Sequence, residues 1–241
     1  MWNLTIIDDD VKMSKLSFLY DNIVDEIIRI GGMIEFSSEK HAVFVRVRED
    51  MLAYGKALIR QVLAETIVEK YKPIFFDQML ELSSKYDLSG LALLKTICVL
   101  DRVEDINEIK SDIYLSDGEF HIDSFWLFHL EALKDRWREV SNVVMVNMAD
   151  IVTTDAFLDI VKYLLKMVQK NIELLKVVET DEEILFYNHG YEKLVDISIR
   201  QNDVHRDEKV INTIIDLSPR TIQWESSSDS KLKDLTLAIF N

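Results

Sequence analysis

The sequence is poor in the residues that break regular structure and in the residue that cross-links chains. Its 241 residues include two prolines, six glycines and one cysteine. So few breakers leave little material for the many turns of an all-β fold, which predicts that helix dominates. The single cysteine, Cys98, cannot form an intramolecular disulfide. Its apolar neighbourhood predicts a buried, unreactive thiol, as expected in a reducing cytosol.

Long uncharged stretches are also missing. No run of about 18 apolar residues occurs, so no segment is expected to cross a membrane as a helix. The stretch from Met1 to Asp10 lacks the basic start and the longer apolar core of a secretion signal. The sequence therefore predicts a cytoplasmic protein.

Positive charge is scarce. The chain has 28 Lys and Arg against 43 Asp and Glu, a net charge of -15. Such a charge repels phosphate backbones and anionic lipids within a screening length of about 8 Å, which disfavours nucleic acid as a direct partner. It favours a protein partner with a basic surface, because opposite charges steer association. Hydrophobic residues make up 48% of the chain, enough for a folded core.

The first fifty residues alternate between strand-like and helix-like patterns. Trp2–Ile7 is rich in β-prone residues, and apolar intervals of three and four over residues 11–30 predict an amphipathic helix. Residues 33–36 and 42–47 predict two strands joined by a turn. In the second of these, apolar and polar side chains alternate, which predicts an antiparallel sheet with one covered face.

Helical patterns continue to about residue 102. A long helix is predicted from residue 49, and Pro73 is expected to end or kink it near Lys72. Residues 74–86 and 88–102 predict a helical hairpin. A turn at residues 117–118 predicts a boundary between an N-terminal α+β region with the hairpin, 1–118, and a C-terminal α+β region, 119–241, although a single domain stays open.

The second half opens with the strongest periodic pattern in the chain. Apolar residues at intervals of four and three predict a long core helix from Asp123, with a coiled-coil seam or dimer contact as the alternative. The residues of this pattern are Trp126, Leu130, Leu133, Trp137, Val140 and Val144.

The rest of the chain predicts a helix, a small meander, a second helix, a strand and a last apolar element. Ser226 to Ser230 are expected to form an exposed loop before that element. The fold class is therefore predicted as α+β, mainly helical, with short antiparallel hairpin or meander elements. The predicted ranges are 155–169, 172–179, 183–187, 193–199, 207–217, 220–225 and 231–240.

Three consecutive aspartates, Asp8, Asp9 and Asp10, follow the first predicted strand. Clustered carboxylates bind magnesium in phosphate-accepting receiver domains and in phosphatases with an aspartate nucleophile. The other parts of both sites are missing: no later strand ends in a lone aspartate at the right distance, and Lys12 stands where that phosphatase class has threonine or valine. A strand end followed by a capped helix start is the favoured interpretation. A small metal-dependent phosphate-handling enzyme stays as the alternative.

No catalytic, cofactor-binding or metal-binding residue is predicted, and no cofactor. The histidines lie too far apart for a zinc site. The common nucleotide, hydrolase and redox signatures do not occur. The histidines are His41, His121, His129, His189 and His205.

Two groups of carboxylates share helix faces without the Glu-x-x-His pairs of di-metal bundles. Both are predicted to be solvated faces, with surface ion pairs from Glu131 to Lys134 and from Asp135 to Arg138. The groups are Asp101, Glu104 and Asp105, and Glu131, Asp135 and Glu139.

The segment from Asp123 to Trp137, with Phe125, Phe128 and Leu130, resembles the Gly-Phe-x-x-Phe-Arg-Leu-Lys-x-Tyr pattern of the YtxC-like sporulation proteins. The segment from Ile211 to Ile222, with Pro219, resembles the closing pattern of the same family. Two positions depart from it: His129 stands where arginine is usual, and Ser218 where alanine is usual.

The resemblance implies a cytoplasmic protein of endospore-forming Firmicutes that is associated with sporulation. It implies no activity, cofactor or catalytic residue. The function expected on this basis is a non-enzymatic interaction or regulatory factor with a protein partner. Neither the partner nor the oligomeric state follows from the sequence.

Overall fold

The computed structural model describes residues 1–9, 14–80, 88–149, 154–180, 182–198, 206–225 and 231–241. Helices predominate over strands, which confirms the predicted α+β, mainly helical class. The helices are α1 (Ser14–Arg29), α2 (Leu52–Thr66), α3 (Lys72–Leu80), α4 (Leu88–Val99), α5 (Arg102–Asp112), α6 (Ile122–His129), α7 (Glu131–Ala149), α8 (Thr154–Met167), α9 (Arg206–Leu217) and α10 (Lys231–Phe240). The strands are β1 (Trp2–Ile7), β2 (Met33–Ser37), β3 (Ala42–Val47), β4 (Gly118–His121), β5 (Ile172–Glu179), β6 (Glu183–Tyr187), β7 (Lys193–Ser198) and β8 (Pro219–Glu225).

The chain divides into two compact units, each built from two separate stretches. The first unit comprises Met1–Phe75 and Arg102–Val140, and the second comprises Phe76–Asp101 and Ser141–Asn241. This division differs from the predicted one at residue 118. Gly118 lies inside the first unit because it starts β4 and pairs with Leu4 of β1.

The sheet of the first unit has the strand order β2-β3-β1-β4. β3 pairs antiparallel with β1 and with β2, as the alternating pattern predicted. β4 pairs parallel with β1, which local patterns did not predict. Side chains on one face, including Leu4, Ile6, Val43 and Val45, are buried, and α1 and α2 pack in this unit with the strands. The other face is only partly covered.

A widened helical turn follows α2. Residues Ile67–Tyr71 form a π-helical segment, and the Lys72 N–H bonds to the Ile67 carbonyl five residues back. Pro73 was predicted to end or kink the helix near Lys72, but α3 continues through it. A proline ring clashes with the carbonyl four residues earlier in a regular α-helix, and the wider turn relieves that crowding.

The long helix predicted from Asp123 is two helices. α6 ends at His129, Leu130 leaves the helical region at φ -108° and ψ 27°, and α7 begins at Glu131. The stripe itself is buried as a core face at Leu133, Trp137 and Val144. Because Trp137 and Val144 are buried within the chain, their side chains are not available for contact with a second copy.

The sequence did not predict the break between α4 and α5. The helix predicted over 88–102 ends at Val99, Asp101 has a positive φ of 53°, and α5 starts at Arg102. The predicted helix 74–86 is observed as far as Leu80, and its remainder lies outside the described residues.

The sheet of the second unit has the order β7-β6-β5-β8. β5, β6 and β7 form the predicted antiparallel meander, and β8 adds to β5 in parallel. Its core is apolar, with Leu175, Val177, Ile184 and Phe186 buried.

Helices complete the second unit. α4 packs against α8 and α9, and α10 packs against β8 and α8. Cys98 of α4 is buried, as predicted. The predicted loop 226–230 lies outside the described residues. Of the helices that the structure describes, none combines the length and the apolar composition needed to cross a bilayer.

Candidate functional site

The carboxyl ends of β1 and β4 bring Asp8 and Asp123 together. The two strands are parallel neighbours, so the residues that follow them meet at one edge of the sheet. Asp8 comes directly after β1, and Asp123 lies in the first turn of α6, which follows β4. The backbone N–H of Asp9 donates to Asp123 Oδ2 at 2.9 Å. Sequence reasoning had looked for such a second aspartate and had not found it.

A lysine lies between the two carboxylates. Lys15 Nζ is 3.4 Å from Asp8 Oδ1 and 3.4 Å from Asp123 Oδ1. The same ammonium lies 4.0 Å from the centre of the Tyr71 ring, and Tyr71 Oη donates to Asp123 Oδ1 at 2.8 Å. We call these four side chains, Asp8, Lys15, Tyr71 and Asp123, the lysine cluster.

The lysine cluster is closed to solvent on the Asp8 side. Asp8 is 0% exposed and Lys15 is 7% exposed. Burial acts to raise the pKa of Asp123, but its contact with the Asp8 carboxyl, the hydrogen bonds that it accepts from Tyr71 and the Asp9 N–H, and the Lys15 charge hold that pKa below its ordinary value. Asp123 is therefore the anionic partner that the Lys15 ammonium neutralises.

Of the three aspartates considered from the sequence as a magnesium site, Asp8 and Asp9 lie at this edge of the sheet. The Lys15 ammonium already supplies the positive charge between the two carboxylates. Within the described residues, no group of three or more His, Cys, Asp or Glu side chains is placed to hold a metal ion. Asp10 and Lys12 lie outside the described residues. The contacts within the cluster hold four elements together: β1, α1, α6 and the π-helical segment.

A second buried ion pair lies next in sequence to Tyr71. Lys72 Nζ donates to Asp105 Oδ2 at 2.7 Å, and their side chains are 2% and 1% exposed. Trp137 Nε1 donates to the same oxygen at 3.0 Å, and Arg136 donates to Asp105 Oδ1 at 2.9 Å. The prediction of a solvated face was therefore wrong for Asp105, since three donors compensate its burial.

Aromatic rings connect the two buried ion clusters. The Tyr71 and Trp126 ring centres are 5.0 Å apart, and those of Trp126 and Trp137 are 5.9 Å apart. Phe75 adds an edge contact to Trp137 at 5.6 Å. The π-helical segment allows its end to contact both clusters. The Tyr71 side chain lies in the lysine cluster, and the side chain of the next residue, Lys72, pairs with Asp105.

The surface ion pairs predicted on α7 are present. Lys134 Nζ is 2.8 Å from Glu131, and Arg138 binds both Asp135 and Glu131. The histidines of the described chain stay apart: His129 stacks on Phe125, His121 lies near Glu119, and His189 is in the turn after β6.

The partly covered face of the first sheet is the other candidate site. Arg46 of β3 lies opposite Met33 and Asn3, and Phe44 lies opposite Glu35 and Thr5. These side chains border an open hollow of ≈580 Å³. Ligand sites combine apolar and aromatic side chains with a few polar groups that orient the ligand, and this hollow has Phe44 and Met33 beside such groups.

No protein-family model, no curated protein and no solved structure matches this chain. The lysine cluster, the buried Lys72–Asp105 pair and the open sheet face are therefore interpreted from their own geometry.

Proposed function

We propose that this chain is a non-enzymatic interaction or regulatory factor, acting in the cytoplasm in sporulation, as its resemblance to the YtxC-like proteins implies. The observation that supports binding is an exposed apolar surface on α7, formed by Val143, Met145 and Val146. The complete burial of Asp8 supports the absence of catalysis at this residue, because a phosphate-handling aspartate must reach its substrate.

The α7 surface is an apolar arc on a helix whose opposite side is buried. Val143 is 62% exposed and Val146 is 69% exposed, whereas Ser141 and Val144 between and beside them are buried. At about 100° per residue, positions 142, 143, 145 and 146 span one continuous arc of roughly 160°. Three of its four residues are apolar, where a solvated helix face carries mainly polar ones.

The net charge suggests the character of the partner. A chain of charge -15 attracts a protein with basic residues around an apolar contact. The α7 surface would supply the apolar centre of that contact, and the surrounding acidic chain would supply the steering. Rates of association would then fall as ionic strength rises.

The test is a comparative pull-down from sporulating cells of the source organism. Replacing both Val143 and Val146 with aspartate removes the apolar centre without touching the buried side of α7. The matched control is Asn142→Asp, which adds negative charge to the same arc and removes no apolar side chain. We expect one protein to be retained by the wild type and by the control, and to be lost with the double variant.

Two results would contradict the proposal. Retention of the same proteins by all three forms would show that the α7 surface does not bind. Saturable magnesium binding to the wild-type chain that disappears in Asp8→Asn would instead support the enzyme alternative, and would require the lysine cluster to open.

A further inference from the structure

The hollow on the open face of the first sheet is bordered by three strands with defined register. Phe44 and Arg46 are two residues apart on β3, so their side chains share this face at a spacing of about 7 Å. Glu35 on β2 and Thr5 on β1 lie directly opposite Phe44, and Asn3 lies opposite Arg46. The ring is thus framed by a carboxylate and a hydroxyl, and the guanidinium by an amide.

Two positive charges, Arg46 and Lys40, and one carboxylate, Glu35, border this hollow. Within the part of the chain that the structure describes, Arg46 and Lys40 form no ion pair, whereas the nearby Arg48 binds Asp50. Lys40 Nζ lies 5.5 Å from the centre of the Phe44 ring. Carboxylates more than about 8 Å from the hollow act only weakly on a bound anion, because charges at that distance are screened at physiological salt.

The size of this face decides between a protein and a small molecule. Four strands at about 4.8 Å spacing and about five residues at 3.3 Å give a face of roughly 300 Å². A stable protein interface buries about 800 Å² of accessible surface on each partner, so a protein partner would also have to contact surface beyond this face. A hollow of ≈580 Å³ lies within the range of about 300 to 1,000 Å³ that small-molecule sites occupy.

We infer that this hollow binds a small organic anion that carries a planar ring, the chemistry of a nucleoside monophosphate. The ring stacks on Phe44, and Arg46 and Lys40 bind the phosphate, for which a guanidinium offers a matching two-pronged donor. Glu35 and Thr5 accept hydrogen bonds from sugar hydroxyls or ring amino groups. This site is separate from the α7 surface and does not depend on it.

The test is titration calorimetry of the full chain with AMP, GMP, CMP and UMP, each without added magnesium. We expect saturable binding of at least one of them. Adenosine, which lacks the phosphate, and ribose 5-phosphate, which lacks the ring, should each bind at least tenfold more weakly than the matching nucleotide.

Three variants make the test specific. Arg46→Gln and Phe44→Leu should each weaken binding at least tenfold. Lys231→Gln, which removes one positive charge from an exposed position in the second unit, should leave the affinity unchanged. Circular dichroism melting would verify that Arg46→Gln folds, as expected for an exposed side chain. The inference is overturned if no nucleotide binds saturably, or if both variants bind as the wild type does.

Discussion

The two sheets share one arrangement of strand directions but place charge at different depths. In each, a central strand pairs antiparallel on one side and parallel on the other, and a carboxylate lies at or just beyond its carboxyl end. In the first unit that carboxylate is Asp8, fully buried against Lys15. In the second it is Glu179, which binds Arg206 and accepts a hydrogen bond from Trp224 Nε1 at 3.3 Å.

The two carboxylates differ in how much solvent reaches the ion pairs that they form. The side chain of Arg206 is 30% exposed and that of Glu179 is 9% exposed, so water still reaches this pair. The Lys15–Asp8 and Lys72–Asp105 pairs of the first unit are almost dry. Buried pairs are costly to break, because removing one partner leaves a charge without compensation, whereas partly solvated pairs are replaced by water. The comparison teaches that similar strand arrangements depend on charge to very different degrees.

The largest effect is expected from Asp105→Ala in the first unit. This change leaves the buried Lys72 ammonium without its carboxylate, and such losses cost about 3 to 5 kcal/mol. The free energy of unfolding, measured by urea and Trp fluorescence, should fall by that amount. Both the wild type and the Asp105→Ala variant would carry Trp224→Phe, so that the remaining tryptophans lie only in the first unit and their fluorescence reports its unfolding. A loss below about 1 kcal/mol would mean that water enters and solvates Lys72.

A middle-sized and pH-dependent effect is expected from Tyr71→Phe. It removes one hydrogen bond to the anionic Asp123, which is expected to cost about 1.5 kcal/mol at pH 7. Because the folded pKa of Asp123 is lowered, its contribution is present above the unfolded pKa of about 3.9 and is lost as pH falls through the folded value.

The difference between Tyr71→Phe and the wild type should therefore be full above about pH 5 and should narrow below about pH 4. Urea unfolding of the two proteins above about pH 5 and below about pH 4 measures this difference, with Trp224→Phe present in both. A difference that is the same at both pH values would show that Tyr71 stabilises through packing alone.

The smallest effect is expected from Glu179→Gln in the second unit. The amide keeps the shape of the side chain and an acceptor for Trp224, and water can solvate Arg206. The expected loss in the free energy of unfolding is about 1 kcal/mol. Trp224 fluorescence in a background where the other three tryptophans are phenylalanine would report this unit. A loss as large as that of Asp105→Ala would abolish the contrast between the units.

Local patterns predicted the elements that depend on neighbouring residues. β1, β2, β3 and α1 were found from alternation and from intervals of three and four, and the β5–β7 meander from β-prone runs separated by turns. The last apolar element was predicted over residues 231–240, the bounds of α10, but it was not predicted to be a helix. In each case the residues that define the element lie within one short window.

Contacts between distant residues were not predictable in this way. The parallel pairings of β4 and β8 join residues that are 47 or more positions apart, and the lysine cluster brings Lys15 to Asp123 over 108 positions. Asp105 was placed on a solvated face because its helix lacks the Glu-x-x-His pairs of a di-metal bundle. The three donors that permit its burial lie on α3 and α7, and no local pattern indicates them.

Pro73 fits into its helix only because the preceding π-helical segment contains one extra residue. Five residues in this wide turn advance the chain about as far around the axis as four residues do in an α-helix, so the segment has the form of a single-residue insertion. Deleting that residue would preserve the rotational phase of α3 but return the Pro73 ring to its clash. Pro73 therefore requires the extra residue, so loss of that residue is expected to be tolerated only where Pro73 is replaced as well.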